Sequence, residues 1–413
     1  MQHQMFAGQQ YCSNFIQHFR GPVGGAVYPH IIVVVEVCTG ATGPGQLATN
    51  SLGRQGAIYM VQQLRAVTAN PQWRLVPPIQ VGTGGRVETV AIFYDGANLL
   101  FTGPNVWSGV QSVRPGPVPG AYPAAIISEV NAGLPPRMTP LGTTEEHCAP
   151  RIQFTHLGAP YATAIGMREP YMASFLELPA VGGRPISVFA AHASPQPVFA
   201  AQLQIDMSNI DEIVGGLAPN EVRVICGDFN LNLLMPPPAY APAGPYALLT
   251  AQGYVPLLTP PLPQPAPIPP RYWGYFLTHI KAASKAMLWS TAATQSLYPG
   301  YGYGGSTHAH NFYSIDNILV RQAVAPLAGN RPTVLNNVVG TPYVAPGGLN
   351  VPLGTMQVAH NMMNLPAPGG IPMVWPNDPA PLSTPGIPAA MRGWLNYGHI
   401  YSTSDHLPIY AEV

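Results

Sequence analysis

The sequence predicts an α/β fold, with packed sheets inside and helices outside, on three observations. Apolar runs of strand length alternate with stretches of helical spacing along most of the chain. Hydrophobic residues form 47% of the 413 positions, enough for a substantial core, while charged residues form only 8%, against roughly 25% in ordinary soluble domains. Asp-Gly and Gly-Gly pairs stand between consecutive strand-like runs, where tight turns need them.

Taken in order, residues 11–20 have helical spacing, and Pro29 precedes a strand over 31–37. Residues 55–67 combine the helical period with good helix formers. Residues 74–76, 87–94 and 99–101 read as consecutive strands, with Asp95-Gly96 as the turn between the last two. A strand pair follows over 171–178 and 186–192 across Gly182-Gly183, then a helix over 200–217 and a strand over 222–226. Residues 235–270 (with MPPPAYAPAGP and TPPLPQPAPIPP) carry so much proline that regular interior helix or strand is excluded there. Residues 323–396 are similarly rich in Pro and Gly. Both stretches read as surface insertions in a single domain over 31–413, preceded by an N-terminal segment, 1–30.

Composition narrows the function classes. No run approaches the roughly 18 apolar residues of a membrane span, so a soluble protein without one is expected. The first residues lack a basic start followed by an apolar stretch, so no secretory signal is visible. Seventeen basic residues balance seventeen acidic ones, and Lys281 and Lys285 are the only lysines, so no overall charge draws the chain to nucleic acid. The four cysteines, Cys12, Cys38, Cys148 and Cys226, form no CxxC pair, and zinc ligation by them is not expected. Cys226 lies in an apolar run and reads as a buried free thiol.

Four apolar strands deliver polar residues at or near one end. HIIVVVEV carries Glu36, VFAAHASP carries His192, VRVICGDFNLNLL carries Asp228 and Asn230, and YSIDNILV carries Asp316. STSDHLPIYAEV mirrors them, with Asp405 and His406 just before a strand. Each has an ordinary reading alone: a strand-end charge, a hydrogen-bonded core histidine, a turn former or a cap. A carboxylate at the edge of an apolar strand is costly unless paired or bound to metal, so five such placements in one chain argue for a metal-and-histidine site.

In this order the motifs IIVVVEV, VAIFYD, MREPY, FAAHASP, CGDFN, SIDNILV and SDHLPIY resemble the endonuclease/exonuclease/phosphatase superfamily, which includes pancreatic-type deoxyribonuclease. The resemblance runs from about Ile31 to Val413 and is most specific in GDFN and SDHLP. It implies a four-layered α/β sandwich, two packed mixed β-sheets flanked by helices. It also implies a metal-dependent phosphodiester hydrolase, with a deoxyribonuclease-like endonuclease as the leading case and DNA as a plausible substrate. Glu36 and Asp405 would serve the metal, magnesium first and manganese second, because an oxygen-only ligand set suits Mg²⁺. Asp228 and Asn230, two apart on an extended segment, would point the same way and orient water and a phosphate oxygen. His406, held by Asp316, would contact the scissile phosphate. His192, Tyr94 and Arg168 would face the phosphate too.

The family's opening strand, ending in a metal-holding asparagine, has Asn14 as its only early candidate. Two alternatives stand beside the nuclease: a phosphatase or phospholipase on a small phosphoester of the inositol phosphate or sphingomyelin type, and a catalytically weak binding module on the same scaffold. No obligate protein partner is implied.

Overall fold

In a computed structural model, the structure describes residues 29–37, 52–82, 88–107, 133–161, 168–179, 183–194, 196–231, 245–257 and 315–323, with short pieces at 297–298, 301–302, 333–334, 406, 409–411 and 413. The helix expected over 11–20 and Asn14 lie outside these residues, as do most of the two Pro-rich stretches.

Two sheets form the core. The first holds β1 (Ile31–Val37), β2 (Trp73–Leu75), β3 (Gln80–Val81) and β4 (Glu88–Asp95), all antiparallel, with β4 central. The second is mixed and combines β5 (Leu99–Gly103), β6 (Tyr171–Glu177), β7 (Pro185–His192), β8 (Val222–Asp228), β9 (Val255–Pro256) and β10 (Asp316–Gln322) in the order β9-β10-β8-β7-β6-β5. Only β7 and β8 run parallel within it. One apolar cluster joins Val34, Ile92 and Phe93 of the first sheet to Phe101, Phe175, Val188 and Ala190 of the second, so the sheets pack face to face. The α/β sandwich expected from the sequence is present; its four-layer form remains an expectation.

Helix α1 (Leu52–Thr68) packs on β2 and β4 through Ala57, Met60, Val61 and Leu64, which recur at helical spacing and are wholly buried. Its last turn is tied down by the Arg65 guanidinium, which donates to the Trp73 carbonyl at 2.8 and 3.0 Å.

Three expectations are corrected. Asp95-Gly96 does not close a hairpin: β4 lies in the first sheet and β5 in the second, so the turn carries the chain between layers. The helix expected over 200–217 is two pieces, α2 (Pro197–Asn209) and α3 (Asp211–Val214), separated at Ile210, which is extended (ψ 119°) and fully buried. There the Asp211 carboxylate accepts the Leu157 and Gly158 amides, an interaction the helical period does not encode. Finally, the Pro-rich stretch 235–270 contains a short helix, α4 (Ala247–Ala251), and the edge strand β9. Residues 246–255 are free of proline, and Pro256 is tolerated on the outermost strand of its sheet.

Candidate active site

The parallel pairing of β7 with β8, and the antiparallel pairing of β8 with β10, place His192, Asp228 and Asp316 opposite one another on a single rung. Directly paired residues share a face, so three strand ends offer their polar side chains together. Backbone bonds from Ala193 N to Asp228 O and from Phe229 N to Ile315 O continue both ladders past this rung. Gly227 permits the close approach: a Cβ there would lie 2.0 Å from the Ala191 carbonyl oxygen, and its φ of +137° is one that side chains avoid.

β1 lies across β7 and β8 and brings Glu36 to the rung. Its register with β4 shifts between Val34 and Val37, and Glu36 itself sits at φ 58°. Such a left-handed residue in a bulge re-aims its side chain at some energetic cost. Glu36 Oε1 comes within 3.5 Å of His192 Nε2.

Asn230 reaches the site by a different route from the one expected. It is not extended but left-handed (φ 50°), and its amide donates to Asp228 Oδ1 at 2.7 Å, a turn closed by the aspartate side chain. Its Nδ2 donates to Asp228 Oδ2 at 3.0 Å and to the Ala193 carbonyl at 2.8 Å. Asp228 and Asn230 are therefore neighbours because the chain turns, not because a strand alternates.

His406 joins Asp316 through Nδ1 at 2.8 Å, and its Nε2 faces Asp228 Oδ2 at 3.8 Å. Burial opposes its charge, but Asp316 and Asp228 outweigh that and push its pKa up to about 9. Burial pushes Asp228 up to about 6, with His406 pulling it down and Asp316 adding to the rise. His192 is likewise raised: burial works against its charge, and Glu88 and Asp228 more than offset it.

Glu88, the first residue of β4, was not singled out from the sequence. It is buried, takes His192 Nδ1 at 2.7 Å, and pairs with Arg168 Nε at 3.2 Å. Its signal was available, since it too is a carboxylate at the end of a buried apolar strand. The residue after Arg168, Glu169, accepts the Gly82 amide at 3.0 Å and fastens this segment to the end of the first sheet.

Glu36, His192, Asp228, Asn230, Asp316 and His406 thus come together, with Arg168 beside them through Glu88. Tyr94 does not join them. It lies near the far end of the eight-residue β4 from Glu88, roughly 20 Å away at strand rise. Its ring packs against Phe101 and Phe175, and its hydroxyl donates to Glu145 at 2.8 Å. Asp405 lies outside the described residues.

The residues present fit a divalent cation. Donor atoms of Glu36, Glu88 and His192 lie within 4.8 Å of one another, and the second oxygen of Glu88 is buried without a hydrogen-bond partner. Among the described residues, no helix is long and apolar enough to cross a membrane.

No protein-family model matches the chain, and no curated protein does. The solved structures similar to it include endonuclease/exonuclease/phosphatase family proteins. One from Beutenbergia cavernae is 14% identical, with 75% of this chain and 58% of that one covered and a TM-score of 0.33. This chain therefore spans less than two thirds of that protein. Another from Leptotrichia buccalis is 10% identical, with 76% and 80% covered and a TM-score of 0.34. D. rerio TDP2 complexed with a single-strand DNA product is 9% identical, with 78% and 80% covered and a TM-score of 0.30. Likeness at this level says nothing of substrate or chemistry, which have to be read from the side chains.

Proposed function

We propose that the protein is a metal-dependent phosphoester hydrolase of the endonuclease/exonuclease/phosphatase type, acting on phosphodiesters. The observation that carries the reading is the rung His192–Asp228–Asp316, with His406 bound to Asp316 and facing Asp228. Phosphoester hydrolysis needs positive groups around the phosphoryl oxygens and a carboxylate to prepare water. A bound divalent cation, held by Glu36 with Asp405 as its expected helper, would lend Lewis acidity to a phosphate oxygen.

The side chains supply the rest. His406, kept charged by Asp316, is suited to stabilising negative charge as it builds on the phosphoryl oxygens. Asp228, held by Asn230 through both oxygens, faces both imidazoles and would orient the attacking water. Arg168 adds a cation beside Glu88, on the side of His192.

Within this class we favour a deoxyribonuclease-like endonuclease on the motif order. The smaller phosphoester is the second reading, supported by the balance of seventeen basic and seventeen acidic residues, which offers no surplus charge for a long polyanion. Plasmid DNA and bis-p-nitrophenyl phosphate, assayed in parallel with Mg²⁺, Mn²⁺ or EDTA, separate the two. Nicking of DNA supports the nuclease, cleavage of the small diester alone supports the second reading, and cleavage of neither refutes both.

A further inference from the structure

Residues 168–170 stand outside the strand ladders: β6 begins only at Tyr171, and Pro170 has no amide to donate. Side chains hold this stretch instead, and they cross from the second sheet to the first. Arg168 Nε pairs with Glu88 Oε2 on β4 at 3.2 Å, and Glu169 Oε2 accepts the Gly82 amide, just past β3, at 3.0 Å. The Tyr171 hydroxyl donates to the Pro77 carbonyl on the approach to β3.

Two of these tethers meet at one place. Val81 lies directly opposite Glu88, so Gly82 is the next residue along from the rung of the carboxylate that Arg168 and His192 share. Gly82 sits at φ +88°, where the chain leaves β3, and a carboxylate on its amide fixes that exit. A guanidinium meets a phosphate through a planar fork, so its use depends on where its backbone is held. Displacing a positioned group by about 1 Å can cost about a hundredfold in rate.

We propose that Glu169 is a positioning residue: through the Gly82 amide it fixes the backbone that carries Arg168, and so sets the guanidinium beside Glu88. The inference rests on the phosphoester reading for what Arg168 does there. Glu169 touches no substrate and acts on turnover only through Arg168.

The test is a double-mutant cycle of Glu169→Ala and Arg168→Ala on the full-length chain. It is read by bis-p-nitrophenyl phosphate hydrolysis and by heteronuclear NMR of the Arg168 Nε–H, whose signal is identified by its loss in Arg168→Ala. Glu169→Ala is expected to lower kcat about ten- to a hundredfold with KM changed by less than about twofold. In the Arg168→Ala background it should add nothing. Its Nε–H signal should move toward that of a free guanidinium, while Glu169→Gln, which keeps an accepting oxygen, holds near-wild-type turnover. Additive losses in the cycle, or an unmoved Nε–H signal, overturn the assignment, as does a Glu169→Gln variant as impaired as Glu169→Ala. Should Glu169→Ala fail to fold, Glu169→Asp, one methylene shorter, takes its place in the cycle. If wild type hydrolyses nothing, the phosphoester reading falls and the Nε–H signal alone decides the assignment. Wild-type turnover with an unmoved signal refutes the assignment alone.

Discussion

The charge on His406 is set by the carboxylates beside it: Asp316, in contact at 2.8 Å, and Asp228 together outweigh the burial that would otherwise neutralise the ring. A pKa raised to about 9 means that the folded state binds a proton more tightly than the unfolded chain, whose histidines titrate near 6.5. The pair therefore stabilises the fold fully below about pH 6.5, and the contribution is lost as pH rises through about 9. In Asp316→Asn the melting temperature should lose this alkaline decline, and NMR titration should find the His406 pKa well below 9. An unchanged titration would mean that Asp316 does not hold the proton. Tyr94 gives the opposite kind of test. Tyr94→Phe removes one buried hydrogen bond to Glu145, so chemical denaturation should register a loss of about 1–2 kcal/mol while the turnover number stays the same. Loss of turnover without loss of stability would return Tyr94 to the site. These two residues also mark the limit of what the sequence could say. A histidine or carboxylate at a strand end is visible because polarity interrupts an apolar run. Which end of β4 faces the site is not, since Glu88 and Tyr94 sit on the same buried strand and only packing separates them.

The shared rung of β7, β8 and β10 depends on two backbones approaching closely where Gly227 meets Ala191. Gly227→Ala must separate the strands or twist the residue out of its positive φ. We expect a destabilisation of at least about 2 kcal/mol by urea denaturation, at the high end for single substitutions. Any folded fraction should also lose activity, because His192 and Asp228 no longer share a rung. Strand existence was legible from apolar runs: β1, β7 and β8 begin within a residue of where the pattern puts them. Sheet membership was not, because a two-residue turn signal fits a hairpin and a crossing between layers equally well, as Asp95-Gly96 illustrates. The break at Ile210 escaped for a similar reason. A buried isoleucine suits a helix, and only the contacts of Asp211 with the 157–158 turn show why the helix restarts there.

At the scale of the molecule, the two sheets are joined where the chain leaves β4 for β5, and a buried ion cluster locks that crossing. Glu145 accepts from Tyr94 and the Phe101 amide and pairs with Arg74 and Arg137, while Arg137 also donates to the Gly96 and Leu99 carbonyls. Glu145→Ala strands two guanidinium groups, one of them on Arg74, which is only 1% exposed. A loss of about 3–5 kcal/mol is expected by urea denaturation. Among the described residues, some of the chain's few charges are paired inside, in this cluster and around Glu88. The central claim concerns the other end of the sheets, where carboxylates and imidazoles meet on one rung. It is tested most directly by hydrolysis of bis-p-nitrophenyl phosphate by wild type and His406→Ala, each with a divalent cation and with EDTA. We predict turnover by wild type only when metal is present, and a loss of at least about a hundredfold in the folded variant. Equal turnover by the two proteins, or turnover undiminished by EDTA, would contradict the account.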